Sequence, residues 1–107
     1  MVEYIQINGK RTPVKYGFNA LRIFTTATGV TLEGLQGLSD SMNLEHAIAL
    51  MYAGLKDGHR AEKLPFKLTI DEVADILDED QSVLQQCIDV FTRSFSAKAE
   101  GKQTAQQ

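Results

Sequence analysis

The sequence predicts an α+β fold, mostly α, with an N-terminal β-hairpin followed by a bundle of about five short helices. Three observations predict it. An Asn8-Gly9 pair separates two short runs rich in β-branched and aromatic residues. After Gly17 the apolar residues recur at helical spacing. Capping residues and glycines then cut that helical region into short pieces. A chain of 107 residues suits one domain, and residues 1–96 are expected to form it, the hairpin over 1–16 and the helices over 18–96.

The first strand spans Val2 to Ile7 and the return strand Lys10 to Tyr16. Strand alternation puts Ile5 and Ile7 on one face and Val2 with Tyr4 on the other. Pro13 cannot donate a ladder hydrogen bond, so the return strand is expected to have an open edge. Two strands alone are marginal in water, so helices or another chain must cover them.

Asn19 is the expected cap of a first helix carrying Leu21, Ile23 and Phe24 and ending near Gly29. Thr31 caps a short second helix with Leu32, Leu35 and Leu38, weakened by Gly34 and Gly37. Asn43 caps a third, whose stripe is Leu44, Ala47, Ile48, Met51, Tyr52 and Leu55, with Gly58 as its expected end. His59 to Leu68 reads as a loop. Thr69-Ile70-Asp71-Glu72 is a capping box opening a fourth helix that buries Ile70, Val73, Ala74 and Leu77. Asp80 caps a fifth with Leu84, Cys87, Ile88, Phe91 and Phe95 in register. Residues 97–107 are polar and small and are expected to be a disordered tail.

Composition narrows the function. A hydrophobic fraction of 43% and a charged fraction of 23% fit a globular protein. Cys87 is the single cysteine, so no intramolecular disulfide forms, and a reducing compartment fits. The first residues, Met1-Val2-Glu3-Tyr4, lack a basic region followed by an apolar run, and the apolar stretches fall far short of the ~20 residues a bilayer requires. A soluble intracellular protein is the expectation. The net charge of −3 disfavours nucleic acid as the main partner.

The chemistry-bearing residues make no active-site pattern. His46 and His59 have no second ligand at metal spacing, and no Cys-x-x-Cys exists. Asp78, Asp80 and Ser82 match the start of a calcium loop, but its turning position is Val83 rather than glycine and its last is Asp89. The scattered glycines cradle no phosphate, and no nucleophile has an activating partner. No enzyme, cofactor or metal is therefore expected. Residues Thr69 to Phe91 superficially look like a helix-turn-helix, the alternative of a DNA-binding regulator. Between Leu68 and Thr92, however, there is no lysine or arginine, and there are seven acids: Asp71, Glu72, Asp75, Asp78, Glu79, Asp80 and Asp89. Such a surface repels DNA.

The order of elements carries a resemblance. The Asn-Gly hairpin is followed by Tyr16-Gly17-Phe18-Asn19-Ala20-Leu21-Arg22, then Gly29-Val30-Thr31-Leu32-Glu33-Gly34-Leu35. Leu50-Met51-Tyr52-Ala53-Gly54-Leu55-Lys56 and Leu68-Thr69-Ile70-Asp71-Glu72-Val73-Ala74-Asp75-Ile76-Leu77-Asp78 come next. From Ile5 to Phe95 the chain resembles the tail assembly chaperones of long-tailed bacteriophages and prophages. The resemblance implies a non-enzymatic protein of the host bacterial cytoplasm, absent from the mature virion. It would bind and solubilise the tape measure protein and help recruit the tail tube protein. A structural tail completion protein of the virion is a further alternative.

A chaperone for a helical client needs apolar surface framed by charge. Phe66 and Met42 are candidate partner-binding residues, as are Val83 and Val90, which give the last helix more apolar width than one core contact requires. Met51, Tyr52 and Phe91 are read as core. The open hairpin edge and that surplus width also lead to the expectation of a homo-oligomer.

Overall fold

A computed structural model describes residues 2–40 and 42–105, with the side chains of residue 39 and of residues 96–105 outside that description. Strands β1 (Glu3–Ile7) and β2 (Lys10–Val14) form an antiparallel hairpin. Helices α1 (Phe18–Thr28), α2 (Leu44–Ala61), α3 (Ile70–Glu79) and α4 (Ser82–Ala105) follow, with a 3₁₀ segment over Glu33–Asp40 between α1 and α2. The α+β, mostly helical class is as expected, one of the five helices being 3₁₀.

Helix α2 is the axis of the fold and packs on α1, β2, α3 and α4. The core it organises includes Phe24, Leu50, Met51 and Leu55 with Val73, Val83, Cys87 and Phe91. Tyr16 is buried beneath it. Its hydroxyl donates to the Leu50 carbonyl at 2.8 Å, and its ring meets Phe91 edge-on at 5.6 Å. Burial pushes the Tyr16 phenol well above its ordinary range, and burial pushes the neighbouring Cys87 thiol up to about 12. None of the helices among the described residues is long and apolar enough to cross a membrane.

The local signals act as their chemistry requires. Asn8 and Gly9 take the positive φ values, 51° and 77°, of a two-residue turn. Asn43 accepts from the His46 amide, and the capping box of Thr69 and Glu72 is complete on both sides. Gly29 ends α1 in the left-handed conformation, and Thr31 Oγ1 accepts from the Gly34 amide. Asp80 Oδ1 accepts from the Ser82 amide at the start of α4.

Several expectations are corrected. Helix α1 begins before Asn19, capped by Gly17 with no side-chain bond, and Asn19 Oδ1 instead accepts from Arg22 at 3.4 Å. Helix α2 passes through Gly58 to Ala61, because this glycine serves close packing. A Cβ on Gly58 would stand 2.5 Å from the Pro13 carbonyl oxygen, and one on Gly54 would strike the Tyr16 ring. Leu32, Leu44 and Ile70 lie at or just before element starts, where nothing packs over them, and are exposed, Leu44 at 68%. Apart from these corrections, helix α4 runs to Ala105, and the polar tail expected over 97–107 falls partly on residues outside the description. Alanine, lysine and glutamate in the last turns of α4 favour helix.

The hairpin's edges are covered in part. In the ladder, Gln6 and Pro13 occupy positions whose backbone groups face away from the partner strand. Gln86 of α4 clamps β1, its Oε1 accepting from the Gln6 amide at 2.9 Å and its Nε2 donating to the Gln6 carbonyl at 3.1 Å. Pro13 is buried against Gly58, and just beyond it the Lys15 amide donates to the Gly54 carbonyl. Pro13's missing N–H therefore costs no ladder bond. The surplus width of α4 is likewise taken up inside, since Val83 and Val90 are buried. Gln6 of the hairpin edge and the valines of α4, from which self-association was expected, are engaged within the chain.

Candidate functional site

A groove of about 330 Å³ opens between α1, the C-terminal half of α2 and the loop after it. It is lined by Asn19, Arg22, Ile23, Lys56, Asp57, Arg60, Leu64 and Phe66. Each element brings a different chemistry. Arg22 and Ile23 lie on adjacent positions of α1. Lys56, Asp57 and Arg60 lie on α2. Leu64 and Phe66 reach the groove because the chain reverses at the end of α2.

That reversal is a Schellman turn. The Leu64 amide donates to the His59 carbonyl at 2.9 Å, and the Lys63 amide to that of Arg60 at 3.1 Å. Lys63 sits at φ 59°, the left-handed position that glycine normally fills. Phe66 then folds back on α2, its ring 5.5 Å from Tyr52 and 5.1 Å from His59. His59 Nδ1 is 2.7 Å from the Leu55 carbonyl.

Asp57 forms the floor and is only 1% exposed. A buried carboxylate needs partners. Arg60 supplies two N–H groups to Oδ1, at 2.8 and 3.2 Å, and the Gly17 amide donates to Oδ2 at 3.3 Å. The last bond ties Gly17, the N-cap residue of α1, to α2, where α1 has no side-chain cap. Arg60 is 56% exposed at its side chain and so carries its charge to the rim. Lys56 stands 5.7 Å from the Tyr52 ring centroid. The groove thus has an apolar wall of Ile23, Leu64 and Phe66 beside three cations and one buried carboxylate.

Of the four sequence-predicted partner residues, Phe66 is in this groove. It is half-buried and packed on the core rather than free in a loop. Met42 is half-buried just before α2, about 20 Å away along that helix by its 1.5 Å rise per residue. The structure does not bring the two together. Val83 and Val90 are core residues, 0% and 2% exposed, and offer no contact surface in the folded chain. The buried stripe of α4 is Val83, Cys87, Val90 and Phe91, with Leu84, Ile88 and Phe95 half-buried beside it. Leu84 instead lines a second groove, of about 360 Å³, with Leu44, Leu77, Asp78, Gln81 and Gln85.

Sequence reasoning missed Asp57, Arg22, Lys56 and Arg60. One signal was present: Gly54 and Gly58, spaced four apart on a helix, mark a face for close backbone approach, and Asp57 with Arg60 has the spacing of a helical ion pair. Among the described residues, no group of three or more His, Cys, Asp or Glu side chains could hold a metal. Asp78 is exposed and Asp89 lies within α4, so the calcium-like spacing makes no loop. No family model, curated protein or solved structure matches the chain. The groove combines an apolar wall with charge at its margin.

Proposed function

We propose that the protein is a binding module of the tail assembly chaperone kind, which holds helical segments of a tape measure protein in solution and helps recruit the tail tube protein. The observation that carries the reading is the groove itself. Exposed Leu64, half-buried Phe66 and Ile23 form a short apolar wall on an otherwise charged face, the arrangement that receives an amphipathic helix. The order of elements that resembles those chaperones supports it. On this reading the protein acts in the cytoplasm of the host bacterium and is left behind when the virion is complete.

The test is co-expression with the tape measure protein or its helical fragments. The client is expected to stay in the soluble fraction and to be captured with this chain. A client that aggregates equally with and without it would overturn the proposal. Finding the chain as a stoichiometric part of purified particles would favour a structural tail protein instead.

A further inference from the structure

We propose that the groove selects an acidic amphipathic helix, seating apolar side chains spaced three or four apart on Ile23, Leu64 and Phe66 and carboxylates against Arg22 and Lys56. This rests on the reading of the groove as the client site and adds the client's charge. The chain as a whole is acidic, with net charge −3, and α3 alone exposes Asp71, Glu72, Asp75, Asp78 and Glu79. Against that background the groove gathers Arg22, Lys56 and Arg60 around a single carboxylate. That carboxylate, Asp57, is engaged by Arg60 and the Gly17 amide. Among the described residues the ion pairs are Arg60 with Asp57 and Arg93 with Glu3, so the charges of Arg22 and Lys56 are not neutralised.

Two further observations point the same way. Lys63, next to Leu64, keeps a lysine in a backbone conformation that costs about 1–2 kcal/mol for a residue with a Cβ. A further cation thus follows the end of α2, where glycine would fold more easily. The apolar wall argues for a helix rather than a polyanion such as nucleic acid, which would engage the cations and leave Ile23, Leu64 and Phe66 wet. A basic or neutral helix would meet the wall but leave the two cations unpaired or repelled.

The experiment uses the full chain and two fluorescent peptides with the same apolar stripe, one with glutamate and aspartate on its polar face and one with lysine. Binding is followed by anisotropy. The acidic peptide is expected to bind at least about tenfold tighter, the sum of two exposed charge contacts near 0.7 kcal/mol each. The preference should fall as salt rises. The paired change Arg22→Glu with Lys56→Glu should abolish or reverse the preference, and Arg22→Gln with Lys56→Gln should abolish it without reversal. Both pairs replace exposed side chains, and wild-type melting is the check on folding. Equal binding of the two peptides, or a preference that survives both variants, overturns the charge selectivity and leaves the groove reading standing. Failure of both peptides to bind removes the groove reading as well. An unstructured DNA oligonucleotide that displaces the acidic peptide at equal concentration would overturn the proposal in favour of a polyanion site.

Discussion

Gly58→Ala tests the joint that builds the groove, because Gly58 lets β2 lie directly on α2 next to Asp57. The added Cβ would stand 2.5 Å from the Pro13 carbonyl oxygen and 2.6 Å from both the Pro13 carbonyl carbon and the Val14 nitrogen. Carbon–oxygen contacts close at about 3.3 Å, so the strand backbone must retreat by roughly 0.8 Å. All three atoms are backbone, so no side-chain rotation relieves the clash. Overpacking costs about 1–3 kcal/mol, and the upper end applies here. Alanine returns about 1 kcal/mol of helix propensity, leaving a net loss of about 2 kcal/mol. For a domain of this size that is a fall of about 8 °C in Tm. Gly37→Ala is the control, since a Cβ there meets nothing within 4 Å, and it should be neutral or slightly stabilising. Thermal melting by circular dichroism reads both. A Gly58→Ala protein melting within about 2 °C of wild type would refute the close-packing argument.

Other perturbations follow from the same structure. Lys63→Gly should raise stability by up to about 1 kcal/mol, because the φ of 59° suits glycine, and denaturant titration would show it; a loss of stability would mean the lysine side chain holds the turn. Alkaline pH should weaken the fold. Tyr16 and Cys87 both titrate higher when folded than when unfolded, so their contribution is intact below about pH 9 and is lost as pH rises toward 12. Cys87→Ala should flatten part of that decline, and native Cys87 should resist thiol reagents until the chain unfolds. Phe66→Ser should cost about 2 kcal/mol, half the usual loss for a fully buried phenylalanine, since Phe66 is half-buried on Tyr52 and His59. Val83→Ser, which puts a hydroxyl in the core, should cost about 3 kcal/mol and more than Leu84→Ser; the reverse order in melting experiments would move the buried stripe of α4 back to Leu84.

What was legible in the sequence is what local chemistry decides. The Asn8-Gly9 turn, the Asn43 cap, the Thr69–Glu72 box and the Gly29 terminus involve residues within four positions of one another, and each bond forms as its residue types require. Which face of α4 is buried is not a local question. Val83, Cys87, Val90 and Phe91 share a helical face as well as Leu84, Cys87, Ile88 and Phe91 do, so periodicity admits both. The positions of α2, α3 and β1, all packed on α4, select the first set. The covered positions on the hairpin edges, Gln6 and Pro13, have the same origin, depending on Gln86 and Gly58, far away in the chain. The groove was legible in one residue, Phe66. Its cations and Asp57 converge from α1 and α2 through a bond between Asp57 and the Gly17 amide, which no spacing announces.

The central claim is that a client helix lies in the groove of Arg22, Lys56, Leu64 and Phe66. The most direct measurement is amide chemical-shift mapping of the labelled chain during titration with a helical fragment of the tape measure protein. The account predicts perturbations concentrated at Asn19 to Ile23 and at Lys56 to Phe66, with little change along α3. Perturbations centred instead on Leu44, Leu77 and Leu84, or on the acidic face of α3, would contradict it.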